Sequence, residues 1–170
     1  MRLSFLIFAL AVAGAPVAAS AATYHGTAAQ PSVVWITGPG PQPVADAEIR
    51  QTQKTFTPAL LVVPTGTSVK FPNDDAFYHS VYNVSPANPF DLGLYDTGPG
   101  KSVTFSNSGV AEVRCHVHGS MHATIVVVDG SYVVTTRPNE SYSIAAPRGS
   151  HVMHVWTDGS PIVTTTVRVK

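Results

Sequence analysis

The stretch Val110-Ala111-Glu112-Val113-Arg114-Cys115-His116-Val117-His118-Gly119-Ser120-Met121-His122-Ala123-Thr124-Ile125-Val126-Val127-Val128 decides the fold. Its first part alternates, with Glu112 and Arg114 on one face and Val113 and Cys115 on the other, which is the period of a half-buried strand. Its last part, residues 123–128, is a short valine-rich run of the length and composition of a second, buried strand. Between them the Gly119-Ser120 pair forces a turn.

The same patterning recurs outward in both directions, punctuated by Gly, Pro and Asn, and no window holds a sustained helical stripe. Further strands are expected at residues 32–36, 59–63, 68–71, 80–83, 102–105, 132–136, 141–144, 151–156 and 163–169. The long connection over residues 85–100 shows no strand pattern. So many short strands spaced by turns define an all-β chain, a sandwich or barrel. The many Val and Thr residues, 14 prolines and a charged fraction of only 12% fit an exported β domain better than a helical or disordered one.

Residues 1–22 read as a secretory signal peptide: Arg2, an apolar stretch over residues 3–13, and small residues around Ala19-Ser20-Ala21-Ala22. The apolar stretch is too short to span a bilayer, and no later segment qualifies. About 148 residues then remain, enough for one ordinary domain with a small appendage. Without Arg2, nine Lys and Arg face ten Asp and Glu, so no basic surface for nucleic acid exists. The stretch Gly38-Pro39-Gly40-Pro41-Gln42-Pro43 is expected to be a turn, and Asp129-Gly130 marks the junction between a main body, residues 23–129, and a C-terminal β extension, residues 130–170.

Cys115 is the only cysteine. In an oxidising compartment it cannot close an internal disulfide, and a free thiolate there drifts up the oxidation ladder, whereas binding a soft metal would protect it. Cys115 points inward at its strand's end, and the turn lets His118 and Met121 curl back around the same point, so one loop offers a thiolate, an imidazole and a thioether. Copper of the blue type takes two imidazoles and a thiolate with a weak axial thioether. His79, which follows Phe71-Pro72-Asn73-Asp74-Asp75 and opens a strand, is the best candidate for the second imidazole.

Over residues 56–128 the chain resembles the cupredoxins, the plastocyanin and amicyanin family of small blue copper proteins. The resemblance is carried by Pro64-Thr65-Gly66-Thr67-Ser68-Val69-Lys70-Phe71-Pro72-Asn73, by His79-Ser80-Val81-Tyr82, by Phe90-Asp91-Leu92-Gly93-Leu94-Tyr95 and by residues 115–121, whose Cys-x-x-His-x-x-Met spacing is similar to amicyanin's short ligand loop. It implies a Greek-key β-sandwich, one copper ion held by His79, Cys115, His118 and Met121, and the His118 edge as the port through which electrons leave. Many cupredoxins carry asparagine directly after the first histidine, where this chain has Ser80. The backbone N–H of Ser80 can still reach the Cys115 sulfur, but the asparagine's side-chain brace is expected to be lost. Residues 132–170 loosely resemble the transthyretin-like, carboxypeptidase-regulatory strands that follow such modules in some exported proteins.

The expected function is therefore that of an exported one-electron carrier between redox partner proteins, a monomer without a membrane span in its mature form, periplasmic if the source is Gram-negative. The alternative is a copper carrier or buffer with the same ligands and no redox turnover, and a third possibility is a partner-binding β domain. A single thioether beside a single thiolate favours redox, because Cu(I) storage recruits several Met or Cys residues. Enzyme motifs are missing: there is no Gly-x-Ser-x-Gly, no His-Glu-x-x-His and no phosphate-cradling loop. His116 and His122 are expected on the loop rim, either as plain polar residues or as a second copper-interacting patch or a pH-sensitive docking surface. Asp74 and Asp75 read as solvated turn residues, and His151 and His154 as structural. Cleavage after Ala22 would put His25 third in the mature chain, where it and the free amine could form a square-planar Cu(II) site.

Overall fold

The computed structural model describes residues 21–38 and 42–170. The signal segment through residue 20 and residues 39–41 of the expected turn lie outside the described residues. In chain order the strands are β1 (Ala21–Ala28), β2 (Ser32–Ile36), β3 (Ala47–Glu48), β4 (Arg50–Thr52), β5 (Thr55–Thr57), β6 (Leu60–Pro64), β7 (Thr67–Asn73) and β8 (His79–Asn83). There follow β9 (Phe90–Tyr95), β10 (Gly98–Phe105), β11 (Gly109–Arg114), β12 (His122–Val128), β13 (Tyr132–Thr136), β14 (Glu140–Pro147), β15 (Gly149–Thr157) and β16 (Val163–Val169). The chain is all-β, and its contacts divide it into two compact units.

The first unit, residues 42–128, is a two-sheet sandwich. One sheet runs β10-β7-β4-β5 with β3 beside β7, and the other runs β6-β12-β11-β8-β9. The alternation read in the opening stretch is realised: Ala111 and Val113 of β11 are buried while Arg114 is exposed, and Val113 pairs with Ala123 and Ala111 with Ile125 of β12. Such cross-strand apolar pairs are the unit from which a sheet draws its stability. Val69, Phe71 and Phe105 from one sheet meet Leu61, Val63, Val81, Ala111, Val113, Ile125 and Val127 from the other in a single core, which also holds Cys115 and Met121.

Three departures from the sequence expectations shape this unit. The segment over residues 85–100, expected to lack a strand, contains β9, an edge strand that pairs with β8 and sets Ser80 opposite Leu94 and His79 opposite Tyr95. Its Gly93, at φ +65°, breaks the alternation that would have marked it. β10 begins four residues before the expected Ser102, across an irregularity between Gly98 and Lys101. Gly100 has φ +70° there, and a Cβ on it would overlap the Phe71 carbonyl oxygen, so only glycine fits. Finally, β4 and β5 form a hairpin with a two-residue turn, Gln53-Lys54, in which both residues have positive φ. Asn-Gly is the usual signal for such a turn, and Gln-Lys carries none.

The second unit comprises residues 21–38 together with residues 129–170. β1 pairs with β14 in a two-stranded sheet, and β13-β2-β15-β16 form a four-stranded one. The expectation that residues 23–129 make one body differs from this pairing, because β1 and β2 share sheets with strands after Asp129. The reason is local composition: Val33, Val34, Trp35 and Ile36 are all buried, and β2 finds partners on both edges, β13 and β15. Val34, Ile36, Ile144, Met153, Val167 and Val169 form the core of this unit. The Trp35 indole donates to Asp129 at 2.8 Å and its ring stacks on His154 at 5.0 Å. His154 meets the hydroxyls of Thr37 and Thr164, each at 3.0 Å, which is the structural role expected of it.

Candidate metal centre

Three of the four expected donors converge. β8 and β11 are antiparallel neighbours, with Arg114 opposite Tyr82, so the residue after β11 comes to lie beside the start of β8. The Cys115 Sγ is 3.9 Å from His79 Nδ1, the two Nδ1 atoms of His79 and His118 are 3.1 Å apart, and all three donor atoms lie within 4.8 Å of one another. A first-row metal bound at roughly 2.0–2.3 Å to each donor sets separations of this size between them. Met121 is buried in the same core as Cys115, and its N–H donates to the His118 carbonyl at 2.9 Å, closing the loop.

His79 is fully buried, His118 is half-buried, and the exposed Phe77 ring sits edge-on to both, at 5.2 Å and 5.6 Å. His116 and His122 are exposed on the rim. His116 stacks flat on Tyr82 at 3.8 Å and lies 3.4 Å from the Asp91 carboxylate, whereas His122 contacts only the Ser120 carbonyl among the hydrogen bonds described. Neither joins the three-donor cluster. His25 is exposed in β1, where the backbone of residues 23–25 pairs with residues 143–145. A square-planar site would have to take amides from that strand.

The site is built to hold an anion at sulfur. Burial pushes the Cys115 thiol up, but the N–H groups of Ser80, His118 and Val117 and the His79 ring outweigh it and bring the thiol down to about 6. Folding therefore favours the thiolate. This part of the stability is present in full above the unfolded thiol's pKa of about 8.5 and is lost as the pH falls through about 6. Ultraviolet thiolate absorbance of the metal-free protein, with Cys115→Ser as blank, should titrate near pH 6, and a midpoint above 8 would contradict this electrostatic picture.

Two residues carry roles that the sequence did not disclose. The Ser80 hydroxyl accepts the His116 N–H at 2.8 Å and faces the Cys115 sulfur at 3.8 Å, so the brace expected to be lost is supplied by a shorter side chain. Asp75, expected to be solvated, keeps only 10% of its side chain exposed and lies 2.9 Å from His79 Nε2. Burial pushes its carboxyl up, but hydrogen bonds from Lys54, His79 and Gln53 bring it below the usual aspartate value. An ionised carboxylate only accepts, so His79 Nε2 carries a proton toward it and Nδ1 faces the cluster. Two imidazole Nδ1 atoms 3.1 Å apart need a proton or a cation between them, and with a thiolate alongside, the donor set suits a soft metal cation. Asp74, in contrast, is exposed and is held by Arg50 at 2.6 Å. No sequence period relates Asp75 to His79 on a loop, and only the fold shows the contact.

Two sheets closed over one core, with the Cys115 loop and His79 at one end, are the arrangement that the cupredoxin resemblance implied. Among solved structures the chain is similar to a novel purple cupredoxin from Nitrosopumilus maritimus, at 23% identity over 49% of this chain and 100% of that one, with a TM-score of 0.44. It is similar also to a mutant of amicyanin in its Cu(I) form, at 20% identity over 56% of this chain and 98% of that one, TM-score 0.46. A copper-containing nitrite reductase from Thermus scotoductus SA-01 matches at 25% identity over 54% of this chain but only 27% of that one, TM-score 0.47. No protein-family model and no curated protein matches the sequence. Among the described residues no helix is long and apolar enough to cross a membrane.

Proposed function

We propose that this protein is a type 1 copper protein that carries single electrons between redox partner proteins. The observation that carries the proposal is the cluster of the buried His79 and Cys115 with the half-buried His118, with donor atoms 3.1 Å and 3.9 Å apart. His79, Cys115 and His118 would hold the copper, since a thiolate with two imidazoles is the donor set of blue copper, and the buried Met121 of the same loop would add the weak thioether. Bound copper would supply reversible one-electron chemistry. Strand ends and the hydrogen bonds of Ser80 and Asp75 hold the donors before any metal arrives, which keeps rearrangement on electron transfer small. The half-buried His118, beside the exposed Phe77 and Val117, is the exit to a partner.

The single cysteine and the apolar leader over residues 1–22 favour work outside the cytoplasm, with the periplasm as the compartment in a Gram-negative source. Adding Cu(II) to the purified protein should produce an intense visible thiolate-to-copper absorption at one copper per chain, followed by a reversible one-electron wave in voltammetry. Colourless binding would refute the type 1 assignment. Colour without a reversible wave would favour the copper carrier or buffer over the electron carrier.

A further inference from the structure

Asp75 joins the Gln53-Lys54 turn to His79. Its Oδ1 accepts the Gln53 N–H at 2.7 Å, and its Oδ2 lies 2.9 Å from both the Lys54 N–H and His79 Nε2. We propose that Asp75 is a positioning residue for the metal: its carboxylate fixes the His79 ring with Nδ1 turned into the donor cluster, and its negative charge favours the more oxidised metal state.

The geometry supports both halves. The backbone N–H groups of Gln53 and Lys54 donate to the two carboxylate oxygens, one each, and the ionised form keeps lone pairs on both oxygens for them and for His79 Nε2. Its side chain is 10% exposed and that of His79 is 0% exposed, so water screens the pair poorly. The Gln53-Lys54 turn places two non-glycine residues in the left-handed region, at φ 53° and 57°, and its two amides are held by this one carboxylate. The turn in exchange holds the carboxylate rigid, and the carboxylate holds the ring. Lys54 reaches away, with its ammonium 5.4 Å from the Phe77 ring centroid, and Asp74 is occupied by Arg50. Resting on the copper reading above, the consequence is electrostatic. Cu(II) carries one more positive charge than Cu(I), so a fixed negative charge joined to a ligand ring stabilises Cu(II) and lowers the reduction potential.

The bland alternative is that Asp75 only closes the Gln53-Lys54 turn. Asp75→Asn removes the charge and keeps one acceptor oxygen but puts an NH2 in place of the other, so a second variant separates the effect on the turn. With copper-loaded full-length protein, the variant should keep the thiolate-to-copper band, and its potential should rise by at least a tenfold shift of the Cu(II)/Cu(I) ratio, which is 59 mV for a one-electron couple. In the metal-free protein, nitrogen NMR should show His79 protonated on Nε2, with that preference weakened in the variant. A second variant guards against misfolding: in a background carrying Gln53→Asn and Lys54→Gly, which make the turn from their own conformational preference, Asp75→Asn should still raise the potential. An unchanged potential with the band present in both proteins would overturn the inference and leave the copper reading standing. A wild-type protein that forms no band would overturn the copper reading, and the inference with it.

Discussion

Cys115→Ser is expected to abolish the visible thiolate-to-copper absorption completely and to weaken copper binding by orders of magnitude. Cys115 is 4% exposed, and its sulfur is held as an anion by the N–H groups of Ser80, Val117 and His118, a cradle that lowers the thiol to about 6. A serine hydroxyl stays neutral there, offers a hard oxygen in place of a soft sulfur, and has no low-lying charge transfer to copper. His79 and His118 would remain, so residual colourless binding is the expected phenotype. Absorption titrations of the two proteins side by side check the prediction, and a persistent intense band in the serine variant would show that Cys115 is not the chromophore.

The second large effect concerns the core. Phe105→Ala should cost about 3–5 kcal/mol of stability, since a large, fully buried ring is removed from packing that can only partly collapse. Phe105 on β10 meets Phe90 on β9 edge to face at 5.8 Å, and Phe90 lies 5.8 Å from Phe71 on β7, so the three rings tie one sheet of the first unit to the other. Phe105 pairs with Thr67, at the opposite end of β7 from Asn73, whose side-chain amide donates to Phe77 O in the loop just before His79. The substitution should therefore leave the position of the copper band unchanged while lowering the denaturant midpoint of the metal-free protein. A loss below 1 kcal/mol would mean that the aromatic bridge does not hold the sandwich together.

Much of this was legible in local patterns. Strands β2, β13 and β16 fall where period-2 and valine-rich runs place them, and β11 and β12 flank the loop as the alternation of the one and the valine-rich run of the other require. The misses have two causes, a local break in pattern and contacts between distant segments. β9 is an edge strand interrupted by Gly93, and β4 and β5 are held by a turn whose residues do not favour it. Its two amides are met by Asp75, more than 20 residues away in sequence. The placement of β1 and β2 with the C-terminal strands has the same character, for Trp35 and Asp129 are 94 residues apart. Pairing over such distances leaves no periodic trace.

The sequence by itself determined the kinds of donor and the loop that carries most of them: a lone cysteine, with His118 and Met121 at spacings that one turn can close, and His79 at the mouth of another strand. Donor chemistry and strand period are local properties, and one chain displays them directly. Only the tertiary structure decided how those donors are held. It set two Nδ1 atoms 3.1 Å apart, put the Ser80 hydroxyl between two strands, and brought Asp75 out of solvent onto His79. Those are hydrogen bonds between segments that meet only once the sheets have packed.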